Sequence, residues 1–212
     1  MLVLAHAKVN FTLEVLSLRS DGYHGLRSVV LPISLCDTVE LDESEGFSSD
    51  SGFADDLCLK AARATDARRG VRVRVTKRIP VGGGLGGGSA DAAAVIRGLN
   101  EMRGLGKSPA ELAEIGASVG SDVPALVLNA PVLMEGRGEK VVPIAAGSMD
   151  LVLVDPGVHC STGEVYSACR PRADAGASKT AQMVAALSSG GFDEVVAALA
   201  NDLQEPAVRR AS

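Results

Sequence analysis

Ile79-Pro80-Val81-Gly82-Gly83-Gly84-Leu85-Gly86-Gly87-Gly88-Ser89-Ala90-Asp91 is the stretch that decides how this chain folds. Six of the seven residues from Gly82 to Gly88 are glycine. Each glycine adds backbone entropy that folding must remove, so an ordinary core element does not tolerate such a run. Upstream, Val71-Arg72-Val73-Arg74-Val75-Thr76 alternates apolar and polar residues, the pattern of a half-buried strand. Downstream, the run from Ala90 to Ile96 predicts a strong helix with Ser89 as its N-cap. A strand, a glycine loop and a helix N-terminus in that order suit a bound phosphate. Without Cβ atoms the chain can turn its N–H groups toward an anion, and the helix dipole adds partial positive charge.

Three readings of the loop compete. A mobile linker would be polar and unpunctuated, whereas here Leu85 interrupts the run and both flanks are patterned. A dinucleotide loop is suggested by Gly82, Gly84 and Gly87, which satisfy G-x-G-x-x-G, but that pattern alone is weak. It also requires a strand after the helix. Here the helix is predicted to reach about Arg103, and Ser108-Pro109-Ala110-Glu111 opens a second one with an N-cap, an N1 proline and a capping-box glutamate. The third reading is a nucleoside-triphosphate loop. It is not of the Walker type, because no Lys-Ser/Thr pair ends it, so any assisting lysine must come from elsewhere.

With 212 residues the chain can bury a substantial core, as one large domain or two small ones. Its hydrophobic fraction of 46% and charged fraction of 22% are those of a soluble globular protein. Aromatics make up only 3%, so the core must be mainly Val, Leu, Ile and Ala, and Tyr23 and Tyr166 stand out. A net charge of −5 argues against a broad nucleic-acid footprint. An anionic ligand must therefore be held by local loops and single cations. Cys36, Cys58, Cys160 and Cys169 lie far apart without C-x-x-C spacing, which argues against zinc or a disulfide framework and for reduced cytoplasmic thiols. Neither a signal peptide nor a membrane span is expected, since Lys8 and Asn10 interrupt the apolar start.

Val9, Phe11, Leu13 and Val15 alternate with polar residues and predict a strand. Lys8 at its mouth reads either as a solvated end or as a site cation, and Lys8 and Asn10 fall on one face. Ser20-Asp21-Gly22 is a turn signal followed by Tyr23-His24, and His24 taken alone is more often a turn residue than a ligand-binding one. Strands are predicted over 26–35 and 37–41, a loop over 46–56, and a helix over 57–68. Gly120 is expected to stop the second long helix in the left-handed region, and Pro124 to hold Val123 extended, placing Asp122 in a stiff corner. That carboxylate reads equally as a turn residue or as a base held in fixed geometry. A hairpin is predicted from 125–128 and 132–134, a buried strand over Leu151-Val152-Leu153-Val154, and amphipathic helices over 178–187 and 192–203.

Ala7-Lys8-Val9-Asn10, Asp21-Gly22-Tyr23-His24, Ile79 to Asp91 and Gly120-Ser121-Asp122-Val123-Pro124 follow one another in an order that resembles the GHMP small-molecule kinases. Most closely the chain resembles the branch that phosphorylates a cytidyl diphosphate sugar alcohol on its way to isoprenoid precursors. The resemblance implies an α+β GHMP kinase fold, with an N-terminal ATP-binding domain over 1–143 and a truncated C-terminal α/β domain over 144–212. It implies ATP as donor with Mg²⁺ beside the triphosphate. Lys8 and Asp122 take the catalytic positions, with Asp122 as the base and Lys8 fixing charge beside it. Pro80, Gly82, Gly83, Gly84, Leu85, Gly86, Gly87, Gly88 and Ser89 become the nucleotide-phosphate loop. Asn10, Tyr23, His24, Thr162 and Tyr166 become substrate contacts, Asn10 at the hydroxyl or phosphate and the aromatic residues around the cytosine.

Where the family has Ala-Pro-Ala-Lys this chain has Ala5-His6-Ala7-Lys8, and a later glycine-rich motif of the family is absent before Ser212. These departures lead us to expect weak turnover and exposed faces on the last two helices that favour a homodimer or aggregation. Two rivals follow: another GHMP kinase acting on homoserine or mevalonate, and a nucleotide-binding module without catalysis. The first has no use for the Asp21-Gly22-Tyr23-His24 segment, and the second would bind ATP without releasing ADP.

Overall fold

The computed structural model of the chain describes residues 1–18, 24–52, 55–155, 157, 162–171 and 178–211, the side chains of residues 162 and 211 excepted. The described residues mix strands and helices in two compact units that interleave along the sequence. The first comprises Met1–Lys8, Pro32–Val81 and Leu85–Ala130, and the second Val9–Leu31, Gly82–Gly84 and Pro131–Ser212. They interleave because two long strands, β1 (Leu2–Leu18) and β2 (His24–Ser44), each pass through both.

In the first unit, β3 (Phe47–Ser49) runs parallel to β4 (Gly70–Thr76), and β4 runs antiparallel to the end of β2 from Thr38 to Ser44. Helix α1 (Leu57–Thr65) is capped by Asp56, whose carboxylate accepts from the Leu59 N–H at 3.0 Å. Helix α2 (Gly87–Met102) buries Ala90, Ala92, Ala93, Ala94, Val95, Ile96 and Leu99 against Leu41, Val39, Val71 and Val73 of the strands. The alanines let the helix lie close to the sheet. At Gly98 the approach is closest, since an added Cβ would come within 2.5 Å of Leu41 Cδ1 and 2.8 Å of Val3 Cγ2. Each fully buried side chain of the size of Leu41, Ile96 or Leu99 contributes about 1.5–3 kcal/mol. Helix α3 (Pro109–Val119) opens with the full Ser108–Glu111 capping box, as the sequence predicts.

The second unit pairs β5 (Val132–Gly136) antiparallel with Leu26–Val30 of β2, β6 (Lys140–Pro143) antiparallel with β5, and β7 (Ala200–Asn201) parallel with β1 at Thr12 and Leu13. The short α5 (Thr162–Ala168) and α8 (Gln204–Ala211) also belong to it. Its core joins Phe11, Val29 and Leu31 to Met183, Ala186 and Leu187 of α6 (Lys179–Ser189) and to Val195 and Ala198 of α7 (Phe192–Ala198). Glu14 is buried yet satisfied: its carboxylate accepts from Ser178 Oγ at 2.8 Å and from the Lys179 N–H at 2.9 Å, at the positive end of α6.

Several local expectations are corrected. The chain from Val123 to Leu128 is a helical turn, α4, rather than a strand of a hairpin, and Pro124 sits inside it, where a missing N–H costs nothing. Val123 is therefore not extended. Asp122 is the N-cap of α4 with φ −87° and ψ −15°, and Gly120 stops α3 in extended geometry at φ −174° rather than in the left-handed region. The hairpin forms instead from β5 and β6 around Gly136–Glu139. Residues 26–35 and 37–41 belong to a single strand, β2, and the 46–56 loop contains β3. Leu151 to Val154 forms no strand, and Val152 and Val154 are 92% and 84% exposed, since no described strand is in register to cover them.

The close approach at Gly98 gives a stability prediction. Gly98→Ala should cost about 1–3 kcal/mol by overpacking α2 against Leu41 and Val3, despite the better helix propensity of alanine. Urea unfolding of the two forms measures it, and an unchanged or higher midpoint would contradict this packing.

Candidate active site

The glycine loop becomes a helix inside the glycine run itself. Gly86 is the N-cap of α2 at φ +70°, with no side-chain cap, and the Ala90 N–H returns to the Gly86 carbonyl at 2.8 Å. Ser89, expected as the cap, lies in the first turn instead, because Gly86 adopts the left-handed geometry that starts the helix three residues earlier. The N–H groups of Gly87, Gly88 and Ser89 precede the first intrahelical bond and point out of the helix end, where the dipole favours negative charge. Gly82 and Gly84 also have left-handed φ values of +80° and +72°. Pro80, half-buried, leads into the loop after the buried Ile79, Leu85 and Gly88 are half-buried, and Gly82, Gly83 and Gly84 are exposed.

Lys8 and Asp122 come together in the first unit. Lys8 Nζ lies 3.7 Å from Asp122 Oδ2, with the lysine 8% exposed and the aspartate side chain 36% exposed. The lysine is placed by the strand, since its N–H donates to the Leu85 carbonyl at 3.0 Å. Its stem lies across Gly86, where a Cβ would meet Lys8 Cε at 3.1 Å and Cγ at 3.2 Å. Asp122 is placed by α4. Half-buried Arg97 of α2 ties these elements together, donating through Nη1 to the Leu126 carbonyl and through Nη2 to the Leu4 carbonyl, each at 2.7 Å. Burial lowers the pKa of this guanidinium, and the two carbonyls take up its donors. The sequence gives no signal for Arg97 beyond a charged residue on a mostly apolar helix.

A second cation also reaches the loop. Lys77 Nζ would lie 3.2 Å from a Cβ on Gly87, so it sits beside the first residue of α2. It donates to Asp37 Oδ2 at 2.5 Å and to Asp91 Oδ2 at 2.7 Å, and both carboxylates are buried. Asp37 Oδ1 also accepts from the N–H groups of Arg78 and Ile79, the latter at 2.8 Å, which fixes the approach to the loop. Burial works against the charge on Lys77, but its bonds to Asp37 and Asp91 outweigh burial and hold its pKa above the ordinary lysine value. Burial, with help from the Asp37 charge, pushes Asp91 up to about 6 against the pull of Lys77. The unpaired buried Oδ1 of Asp91 leaves its anionic form poorly solvated. Sequence reading missed this trio, whose only visible signal is Lys77 just before the loop and Asp91 just after it.

The expected substrate residues fall in the second unit. Asn10 Nδ2 donates to Ser28 Oγ at 2.8 Å. His24 Nδ1 lies 3.1 Å from the Leu16 carbonyl, and since a carbonyl only accepts, Nδ1 carries the proton and Nε2 of the neutral ring is an acceptor. Tyr166 is half-buried on α5, whereas Tyr23 and the Thr162 side chain lie outside what is described. Among the described residues no group of three or more His, Cys, Asp or Glu is placed to hold a metal ion, and no helix is long and apolar enough to cross a membrane. Cys36 and Cys58 are free thiols, and burial pushes the Cys58 thiol far up; Cys169 Sγ lies 3.6 Å from the Asp202 carbonyl, and Cys160 lies outside the described residues.

Asp91 gives the molecule a pH signature. An unfolded aspartate titrates near the ordinary value of 3.8, the folded one at about 6. Between those values the folded state holds a proton that the unfolded state has lost, so stability is gained as pH falls through 6 toward 4 and is lowest above 6. Against Asp91→Asn, which cannot titrate, the protein should gain about 1–2 kcal/mol between pH 7.5 and pH 5. Parallel denaturation series for the two forms test this, and a constant difference across that range would rule it out.

Comparison with known proteins gives the family. Residues 56–130, which carry the loop, α2, α3, Asp122 and α4, match the family described as GHMP kinases N terminal domain. The 4-diphosphocytidyl-2-C-methyl-D-erythritol kinase of Symbiobacterium thermophilum is 42% identical over 224 residues, covering 97% of this chain and 77% of that protein. The enzyme of the same name from Shouchella clausii is 39% identical, covering 98% of this chain and 74% of that one. A crystal structure of 4-(cytidine 5'-diphospho)-2C-methyl-D-erythritol kinase superposes with a TM-score of 0.76 at 32% identity, covering 99% of this chain and 78% of that one. The homoserine kinase of Cytophaga hutchinsonii, at 17% identity and a TM-score of 0.67, shares the fold. By its sequence relatives and its fold, the chain belongs to the 4-diphosphocytidyl-2-C-methyl-D-erythritol kinase family of the GHMP kinases.

Proposed function

We propose that this chain transfers the γ-phosphoryl group of ATP to the 2-hydroxyl of 4-diphosphocytidyl-2-C-methyl-D-erythritol, a step in the non-mevalonate route to isoprenoid precursors. The observation that carries the reading is the meeting of Lys8 and Asp122, 3.7 Å apart, where Lys8 crosses Gly86 at the N-terminus of α2. In this reaction Asp122 accepts the proton of the substrate hydroxyl. The freed oxygen bonds to the γ-phosphorus, the bond from that phosphorus to the β,γ-bridging oxygen breaks, and ADP leaves. Lys8 stands 3.7 Å from Asp122 and faces the negative charge that collects on the transferring group. The loop amides from Gly82 to Gly88 and Ser89 cradle the phosphates, with Pro80 and Leu85 shaping the loop.

On the substrate side, Asn10 holds the reacting end, while Tyr23, His24, Thr162 and Tyr166 receive the cytidine. Nε2 of His24 is the acceptor that an exocyclic amine of a base would need. Mg²⁺ belongs to the same proposal. The residues described offer no preformed carboxylate cluster for it, so the ion would be carried by the triphosphate, whose charge it neutralises. The proposal also takes residues 1–143 as the ATP-binding domain and 144–212 as the C-terminal domain, places the protein in the cytoplasm, and covers the exposed apolar residues Phe192, Val196 and Leu199 of α7 and its cap in a homodimer.

Asp122→Asn separates chemistry from binding. Turnover, followed as ADP release dependent on the cytidyl substrate, should fall at least about 100-fold, while ATP affinity by isothermal titration stays within about 3-fold. Turnover retained in the Asp122→Asn protein would remove this residue as the base.

A further inference from the structure

We infer that Ser28 is a positioning residue that fixes which way the carboxamide of Asn10 faces, so that the Asn10 oxygen is turned away from Ser28 as a hydrogen-bond acceptor. The inference rests on the reading above in one respect, the placing of Asn10 against the substrate. Its own basis is the direction of the hydrogen bonds in a polar chain inside the second unit.

Ser28 is fully buried on β2, and its Oγ has two partners. It lies 2.5 Å from the carbonyl oxygen of Thr12 and 2.8 Å from Asn10 Nδ2. A carbonyl cannot donate, and a serine hydroxyl has one proton, so that proton goes to Thr12. The Asn10 atom at 2.8 Å must then be a donor, which only the amide nitrogen can be. The opposite flip would set two acceptors against each other in a buried site, at a cost comparable to a lost buried hydrogen bond.

The other end of the chain is equally directional. The Val29 N–H donates to Thr12 Oγ1 at 3.0 Å, and Thr12 Oγ1 lies 2.9 Å from Thr180 Oγ1. Thr180 Oγ1 donates to the Arg27 carbonyl at 3.5 Å, so Thr12 is the donor to Thr180. Thr12 and Thr180 are both 0% exposed. Asn10 is thus anchored through Ser28 and the Thr12 residue to α6, in a network whose buried members hold their protons in one sense. For the phosphoryl transfer, Ser28 holds the carboxamide of Asn10 in one orientation at the reacting end, whose hydroxyl gives its one proton to Asp122.

The test uses the full chain and two readouts. In protein labelled with ¹⁵N on asparagine side chains, the Asn10 Nδ2 protons should exchange with solvent at least about 10-fold faster in Ser28→Ala than in the wild type, and Ser28→Thr, which keeps the hydroxyl, should restore protection. The Asn100 amide, bonded to the Lys107 carbonyl, serves as an internal control and should not change. In steady-state kinetics, Ser28→Ala should lower kcat about 10-fold with KM for ATP unchanged, and Ser28→Thr should recover most of it. Added to Asn10→Ala, the Ser28→Ala change should have no further effect. Unchanged Asn10 exchange in Ser28→Ala overturns the inference, whatever the kinetics. If Asn10→Ala slows turnover but Ser28→Ala does not, the inference falls and the placing of Asn10 stands. If Asn10→Ala has full activity, the placing of Asn10 falls and takes the inference with it. Should Ser28→Ala fail to fold, Ser28→Cys, of similar size and with a weaker donor, is read in the same way.

Discussion

The passage of β1 across Gly86 is the contact on which the rest of the site depends. The Lys8 N–H is bonded to the Leu85 carbonyl, and the stem of the lysine occupies the space where any larger residue at 86 would put its Cβ. One residue therefore meets two demands. It takes the left-handed geometry that starts α2, and it leaves room for the cation that reaches Asp122. Arg97 holds the same arrangement from behind, with one guanidinium bonded to the strand before Lys8 and to the helix after Asp122. Both residues are placed by hydrogen-bonded backbone, and phosphoryl transfer asks mainly position and field of a protein.

Charge in the first unit is arranged around that requirement. A chain with a net charge of −5 attracts no anion by its overall field. Under the proposed function it relies on the amides at the start of α2 and on two ammonium groups, Lys8 beside Asp122 and Lys77 between Asp37 and Asp91. The lysine next to Gly87 is shared by two buried acids, and burial, helped by the Asp37 charge, raises Asp91. The arrangement keeps the loop entrance from Arg78 to Ile79 in place through Asp37, while the Lys77 ammonium stays next to the helix end.

Much of this was legible in the sequence where the signal was local. The strand before the loop, the helix after it and the Ser108–Glu111 cap appear as read, because alternation, alanine content and capping chemistry act over a few residues. The pairing of Lys8 with Asp122 came from linked motifs rather than from periodicity, as residues 114 positions apart share no local pattern. Local rules failed where the backbone had more than one option. Pro124 fits the first turn of a helix as well as an extended corner, and the structure takes the helix. Leu151 to Val154 has the composition of a buried strand without a strand beside it among the described residues, and composition cannot supply a neighbour. Ser28, Lys77 and Arg97 were silent for a further reason: a hydroxyl on a strand or a base on a helix gains meaning only from what lies opposite.

The interleaving of the two units has a consequence for dissection of the gene. Phe11, Val29 and Leu31 are encoded near the start, and the residues that cover them, Met183, Leu187 and Val195, near the end. No single cut in the coding sequence yields one unit whole, and a fragment ending after β6 would display the bare inner side of its first two strands to water. Such a fragment is a poor vehicle for isolating nucleotide binding.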